Sequence, residues 1–194
     1  MKTYLRPGCS LLLLLLLLPF ALNAQTTAAD YLDRGNAKAA RSDPAGAIAD
    51  YDQAIALDPK QAEAFYDRGA AREARGDHDG AVADYGQAIV LNPKFAKAFS
   101  NRGLAKAAKN DLEGAIADFD QAIAMDPNYA AAFYNRCRAK KTLDNLDGAI
   151  ADYDHAIALN PKFALTYSYR GFAKAAQQLH AAAIADYDQA SALN

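Results

Sequence analysis

The stretch GAIADYDQAIALDP, residues 46–59, returns as GAVADYGQAIVLNP at 80–93, GAIADFDQAIAMDP at 114–127, GAIADYDHAIALNP at 148–161 and AAIADYDQASALN at 182–194. In the first copy Ala47, Ile48, Tyr51, Ala54 and Ile55 trace one apolar stripe of a helix with a period of about 3.6 residues. The helix stops at Asp58-Pro59, because proline disfavours helical geometry in the residue before it and brings no amide hydrogen. Two carboxylates flank the tyrosine, Asp50 and Asp52. Successive helical residues turn by about 100°, so these two point to nearly opposite sides and cannot converge on one substrate atom or metal ion. The second copy replaces the second carboxylate with Gly86, whereas the first is kept in all five copies: Asp50, Asp84, Asp118, Asp152 and Asp186. The phrase reads as a packing unit, not as a catalytic pair.

The interval between copies is 34 residues. Pro59, Pro93, Pro127 and Pro161 share it, and so do Arg34, Arg68, Arg102, Arg136 and Arg170. Five units follow, 28–61, 62–95, 96–129, 130–163 and 164–194, the last three residues short. The first half of unit one carries Tyr31, Gly35 and Ala37 in a second helix. Between the halves lie Ser42, Gly76, Asn110, Asp144 and Gln178, mostly residues that tolerate a left-handed helix end. Asp43, Asp77, Asp111 and Asn145 come next, suited to capping the following helix. Each unit reads as a helix–turn–helix hairpin, and the fold class is all-α.

On these residues the chain resembles the tetratricopeptide repeat family. The period, an aromatic at unit position 4 (Tyr31, Phe65, Phe99, Phe133, Tyr167) and a small residue at position 8 match its pattern. So do alanine at position 20 (Ala47, Ala81, Ala115, Ala149, Ala183), an aromatic at 24, alanine at 27 and proline at 32. The resemblance implies a right-handed superhelical solenoid of five repeats, with its concave face lined by the first helix of each unit. Gly35, Gly69, Gly103 and Gly171 let paired helices approach, and the position-4 aromatic is expected to fill the space beside them. Cys137 takes the glycine position in unit four and is expected to be a small buried thiol.

Every first helix carries two cations four residues apart: Arg34/Lys38, Arg68/Arg72, Arg102/Lys106, Arg136/Lys140 and Arg170/Lys174. Like charges at that spacing repel unless an anion lies beside them. Both positions depart from the family pattern, which usually has leucine and tyrosine there. The first aspartate of each copy is the expected partner, across the hairpin or along the stack. That gives a structural ladder Arg34–Asp50, Arg68–Asp84, Arg102–Asp118, Arg136–Asp152 and Arg170–Asp186. Asp52 is expected to be a solvent-facing charge.

The resemblance also implies ligand-facing positions 2, 5, 9, 12 and 13. They place Leu32, Asn36, Tyr66, Lys97, Leu104, Tyr134, Arg138, Lys141 and Phe172 in a partner-binding groove with an alanine floor. Exposed aromatic and aliphatic groups in a groove suit a peptide or helix ligand. One family specialisation, the clamp for a chaperone's C-terminal carboxylate, is not expected. Its five positions hold Leu32, Asn36, Asp67, Lys97 and Asn101, and Asp67 would repel a carboxylate.

Outside the array, Lys2 and Arg6 precede an unbroken apolar run from Leu11 to Leu18, and Pro19 to Ala24 form a plausible cleavage region. That is the layout of a secretory signal peptide over residues 1–24. Its apolar core is shorter than the roughly 20 residues a spanning helix needs, so no stable membrane span is expected once it is removed. Retention as a signal anchor is the alternative. No N-x-Ser/Thr acceptor is present, which leans towards a bacterial envelope compartment over a eukaryotic secretory one, and the expected destination is the bacterial periplasm or the secreted fraction. Beyond residue 24 the chain keeps 19 Lys and Arg (21 less Lys2 and Arg6) against 23 Asp and Glu. No concentrated basic surface points to nucleic acid.

His78, His155 and His180 sit in different units without ligand spacing, so no metal is expected. No phosphate loop or nucleophile elbow is visible, so neither a cofactor nor enzyme activity is expected. The expected function is a non-catalytic scaffold that captures a peptide or helix segment of a partner protein in the concave groove. The alternative is self-assembly. Position 28 changes from isoleucine in units one to four to Ser191 in unit five, and Ile184 and Tyr187 lack a following unit, so the final hairpin is a candidate for homo-oligomer contacts.

Overall fold

The computed structural model describes residues 26–193 as ten helices with no strand among them. The signal-peptide reading of residues 1–24 lies outside the described residues, as does Asn194. Unit one contains α1 (Ala28–Ala40) and α2 (Pro44–Leu57), unit two α3 (Ala62–Ala74) and α4 (His78–Leu91). Unit three contains α5 (Ala96–Ala108) and α6 (Leu112–Met125), unit four α7 (Ala130–Thr142) and α8 (Leu146–Leu159). Unit five contains α9 (Ala164–Ala176) and α10 (His180–Ala192).

The turns obey local chemistry. Ser42, Gly76, Asn110, Asp144 and Gln178 adopt left-handed backbone, with φ between 60° and 77°. The next residue caps the second helix: Asp43, Asp77, Asp111 and Asn145 accept the N–H of Gly46, Gly80, Gly114 and Gly148 at 2.9–3.0 Å. Unit five has Leu179 at that position and no such side-chain cap. At the start of the array Thr27 and Asp30 form a reciprocal capping box.

Within a unit, the second helix packs its seam of small residues on the first. Ala47, Ala54, Ala81, Ala88, Ala115, Ala122 and Ala149 are fully buried. Side chains this small let helix axes come close. The ring that uses the space comes from position 24, not from position 4. A Cβ placed on Gly35 would lie 2.5 Å from Tyr51 Cε1, and one on Gly103 2.8 Å from Phe119 Cε1. Tyr51, Tyr85, Phe119 and Tyr153 are at most 1% exposed. The position-4 ring sits four residues before the glycine on the same helix and serves another purpose, described below.

Between units, each second helix packs on the first helix of the next unit. First helices also meet one another, α1 with α3, α3 with α5 and α5 with α7. This brings α1, α3, α5, α7 and α9 together along one inner face and leaves the second helices outside. Among the described residues no helix is long and apolar enough to cross a membrane.

Candidate functional site

The inner face is held in register by a repeated ion cluster. Arg34 donates from Nε to Asp50 at 2.9 Å and from Nη2 at 2.5 Å, a two-pronged contact. Arg68, Arg102, Arg136 and Arg170 treat Asp84, Asp118, Asp152 and Asp186 in the same way. The second cation closes on the same carboxylate: Lys38, Arg72, Lys106, Lys140 and Lys174 stand 2.7–2.9 Å away. All five aspartates are 2–4% exposed. Arg34, with Lys38 behind it, pulls the Asp50 carboxyl down to about 2. Burial pushes Asp186 the other way, yet Arg170 and Lys174 still hold it below the usual carboxylate range.

The position-4 ring belongs to this cluster. The guanidinium of Arg34 lies 4.7 Å from the Tyr31 ring centre, and the other four arginines lie 5.4–5.5 Å from Phe65, Phe99, Phe133 and Tyr167. Each arginine is thus fixed between an aromatic face and a carboxylate, three residues apart on one helix and across the hairpin.

Asp52 departs from the expectation of a purely solvent-facing charge. It accepts from Arg68 Nη1 of the next unit at 2.6 Å, and Asp120 and Asp154 do the same for Arg136 and Arg170. A residue pointing away from its own hairpin points towards its neighbour. Arg102 has no such bond, because Gly86 stands where unit two would supply the accepting carboxylate.

The residues expected to line the groove divide into two sets. Asn36, Lys97, Leu104, Arg138, Lys141 and Phe172 are exposed on first helices. Leu32, Tyr66 and Tyr134 are half-buried and also pack internally. Tyr66 packs at a tilt against the Tyr85 and Phe95 rings and accepts from Asn101 at 3.0 Å, while Tyr134 meets Tyr153, Phe163 and Tyr169. Asn36 accepts the Tyr51 hydroxyl at 2.7 Å. Of the clamp positions, Asn36 and Asn101 are already hydrogen-bonded, Asp67 has the wrong charge and Leu32 offers no polar group, which leaves Lys97 alone exposed and cationic.

Two cavities open on the inner face. One, of about 680 Å³, is lined by Leu104, Arg138, Lys141, Tyr169 and Glu73, among others. The other, of about 460 Å³, lies between units one and two and is lined by Asn36, Tyr51, Asp67 and Ala70. Position 6 contributes Asp67 and Tyr169 to these cavities, beyond the five positions that the resemblance supplied. Cys137 is fully buried and donates to the Tyr134 carbonyl, and burial raises its thiol to about 12. Among the described residues no cluster of three or more His, Cys, Asp or Glu side chains could hold a metal ion.

Models described as TPR repeat match residues 35–74 and 73–109, and models described as tetratricopeptide repeat match 96–129 and 130–163. The chain belongs to the tetratricopeptide repeat family. No curated protein sequence matches it significantly. Among solved structures, this tetratricopeptide array is similar to MamA, with a TM-score of 0.79, 26% identity, and 82% of this chain and 93% of that one covered. YrrB, described as a TPR protein with an unusual peptide-binding site, gives 0.74 at 19% identity over 86% of each chain. The first TPR of Spaghetti (RPAP3), bound to an HSP90 peptide, gives 0.60 at 25% identity over 61% of this chain and 94% of that one. Such arrays are protein–protein interaction scaffolds, typically without catalytic activity.

Proposed function

We propose that this tetratricopeptide protein is a non-catalytic scaffold that holds a segment of a partner protein along the inner face of α1, α3, α5, α7 and α9. The observation that carries this reading is the row of exposed apolar and basic side chains at Leu104, Arg138, Lys141 and Phe172 beside the larger cavity, with Leu104 37% and Phe172 55% exposed. The peptide-bound RPAP3 repeat, similar in structure, supports it. A photo-reactive residue tests it directly. At position 104 or 172 it should cross-link one defined segment of a partner, whereas at the outward-facing Val90, 71% exposed, it should not. Equal labelling from both faces would sink the groove.

A second reading rests on α10. Ile184 is 58% exposed, while Ile48, Val82, Ile116 and Ile150 at the same unit position are half-buried. A second copy could cover it, and a light-scattering mass that stays monomeric over a wide concentration range would defeat that reading. We also infer export, from the sequence pattern of residues 1–24. Mature protein in an envelope or culture fraction that begins at Gln25 is the expected result.

A further inference from the structure

The charges on the inner face are sorted along the array. At unit positions 2, 5, 6, 9, 12 and 13, units one and two carry Asp33, Glu63, Asp67 and Glu73 and no cation. Units three to five carry Lys97, Arg138 and Lys141 there and no anion. The ladder cations at positions 7 and 11 are spent on their buried aspartates and do not blur this division.

The smaller cavity lies on the acidic side of the boundary, and the larger one lies mainly on the basic side, with Glu73 of unit two at its edge. In the smaller one Asp67 is half-buried beside Tyr51, Asn36 and alanine, and its nearest charged influence is another acid, Glu63. Desolvation and Glu63 push its carboxyl up to about 6, the mark of an anion lacking a cation. In the larger one the two cations rest on rings instead of carboxylates. Arg138 lies 5.9 Å from the Tyr134 ring centre, and Lys141 lies 5.9 Å from Tyr169 and 5.7 Å from Phe172. Glu73, which also lines this cavity, meets His78 through one oxygen and leaves the other buried without a partner.

We propose that the groove takes an extended, dipolar segment of a partner protein, with a basic side chain in the Asp67 cavity and an acidic one at Arg138 and Lys141. The inference rests on the groove reading above and adds the chemistry and the orientation of the occupant. The complementarity is what selects it: a wholly acidic segment meets Asp67 and Glu63, and a wholly basic one meets Arg138 and Lys141. The carriers α3 and α7 are two packed-helix steps apart, roughly 20 Å at 8–10 Å per step. An extended chain advances about 3.3 Å per residue, which puts the two charged side chains about six residues apart.

Three capped, fluorescent seven-residue peptides with one alanine–leucine interior test this on the intact protein at low salt. One has lysine and glutamate at opposite ends, one lysine at both, one glutamate at both. The dipolar peptide should bind about tenfold tighter than either of the others. Asp67→Asn should erase its advantage over the glutamate peptide, and Arg138→Gln with Lys141→Gln its advantage over the lysine peptide. These side chains lie outside the core, so an unchanged circular dichroism spectrum is expected for both variants. Equal binding of all three peptides, lost on Leu104→Ala with Phe172→Ala, would overturn the charge assignment and leave the groove. Binding of none would overturn the groove reading too. A concentration-dependent mass abolished by the same charge substitutions would assign the face to a second copy and overturn the peptide.

Discussion

Asp67 concentrates the conflict between stability and recognition in one side chain. With its carboxyl at about 6 in the folded protein and 3.8 as the reference value, the folded state holds the proton more tightly than the unfolded chain. The sign follows: its contribution to stability is complete below about pH 4 and is lost as pH rises through about 6. Glu63 on its own helix and Tyr51 and Tyr85 on α2 and α4 face it, and none supplies a positive charge. Asp67→Asn should therefore stabilise the protein at pH 7 by about 1 kcal/mol, after allowance for the solvent on its open side, and flatten the pH dependence between 4 and 7. Urea unfolding at several pH values measures both. Cys137 gives the opposite kind of residue, inert by burial. Its thiol, fully buried and raised to about 12, should react with a thiol reagent only as fast as the chain unfolds. Fast labelling in native buffer would contradict the packing at unit four. The burial of Cys137 was legible from its place in the glycine register. The isolation of Asp67 was not, because it depends on which rings and alanines surround position 6.

At the scale of the helix hairpin, the ion cluster combines one buried carboxylate, two cations and one ring. Breaking it from the carboxylate side strands two cations. Asp118→Ala should cost about 3–5 kcal/mol, whereas Asp120→Ala, at a half-exposed carboxylate, should cost at most about 1 kcal/mol. Asp50, drawn down to about 2, contributes stability above about pH 4 that is lost as pH falls towards 2, and Asp186, also held below the reference value, contributes with the same sign. Unit two supplies an addition instead of a removal. A Cβ on Gly86 would meet only Arg102 Nη1, at 3.7 Å, with open space elsewhere. Gly86→Asp should restore the bond that Asp52, Asp120 and Asp154 make to the next unit and relieve a helix-interior glycine. A gain of about 0.5–1.5 kcal/mol in urea unfolding is expected, reduced when Arg102→Gln is added. The hairpins themselves could be read from the chain, since proline stops, left-handed turn residues and capping aspartates recur at one interval. The arginine–aspartate pairing also followed from two like charges four residues apart. The bond from Asp52 to Arg68 did not, because opposite faces within one helix say nothing about the neighbour each face meets. Nor did the ring beneath each arginine, whose role is tertiary.

The whole molecule is a line of near-identical interfaces, so its length is set by copy number and its character by the few positions that differ between copies. That is why the architecture was legible from one repeated phrase, while the charge boundary appears only when five first helices are laid side by side. Each unit touches chiefly its neighbours, and stability should behave as a sum of unit and interface contributions. Deleting residues 96–129 joins Phe95 to Ala130 and gives every helix a neighbour of the same kind. The shortened chain should stay folded, with its helical circular dichroism reduced by about one fifth and a lower urea midpoint. It also places Gly86 before Arg136, so the new junction lacks the pair that Asp120 made, and Gly86→Asp should recover part of the loss. An unfolded product would refute the nearest-neighbour account. The same deletion moves Asp67 and Arg138 one packed-helix step closer, by roughly 10 Å. The preferred spacing between basic and acidic residues in a bound extended peptide should then shorten by about three residues, which the capped peptides measure at graded lengths.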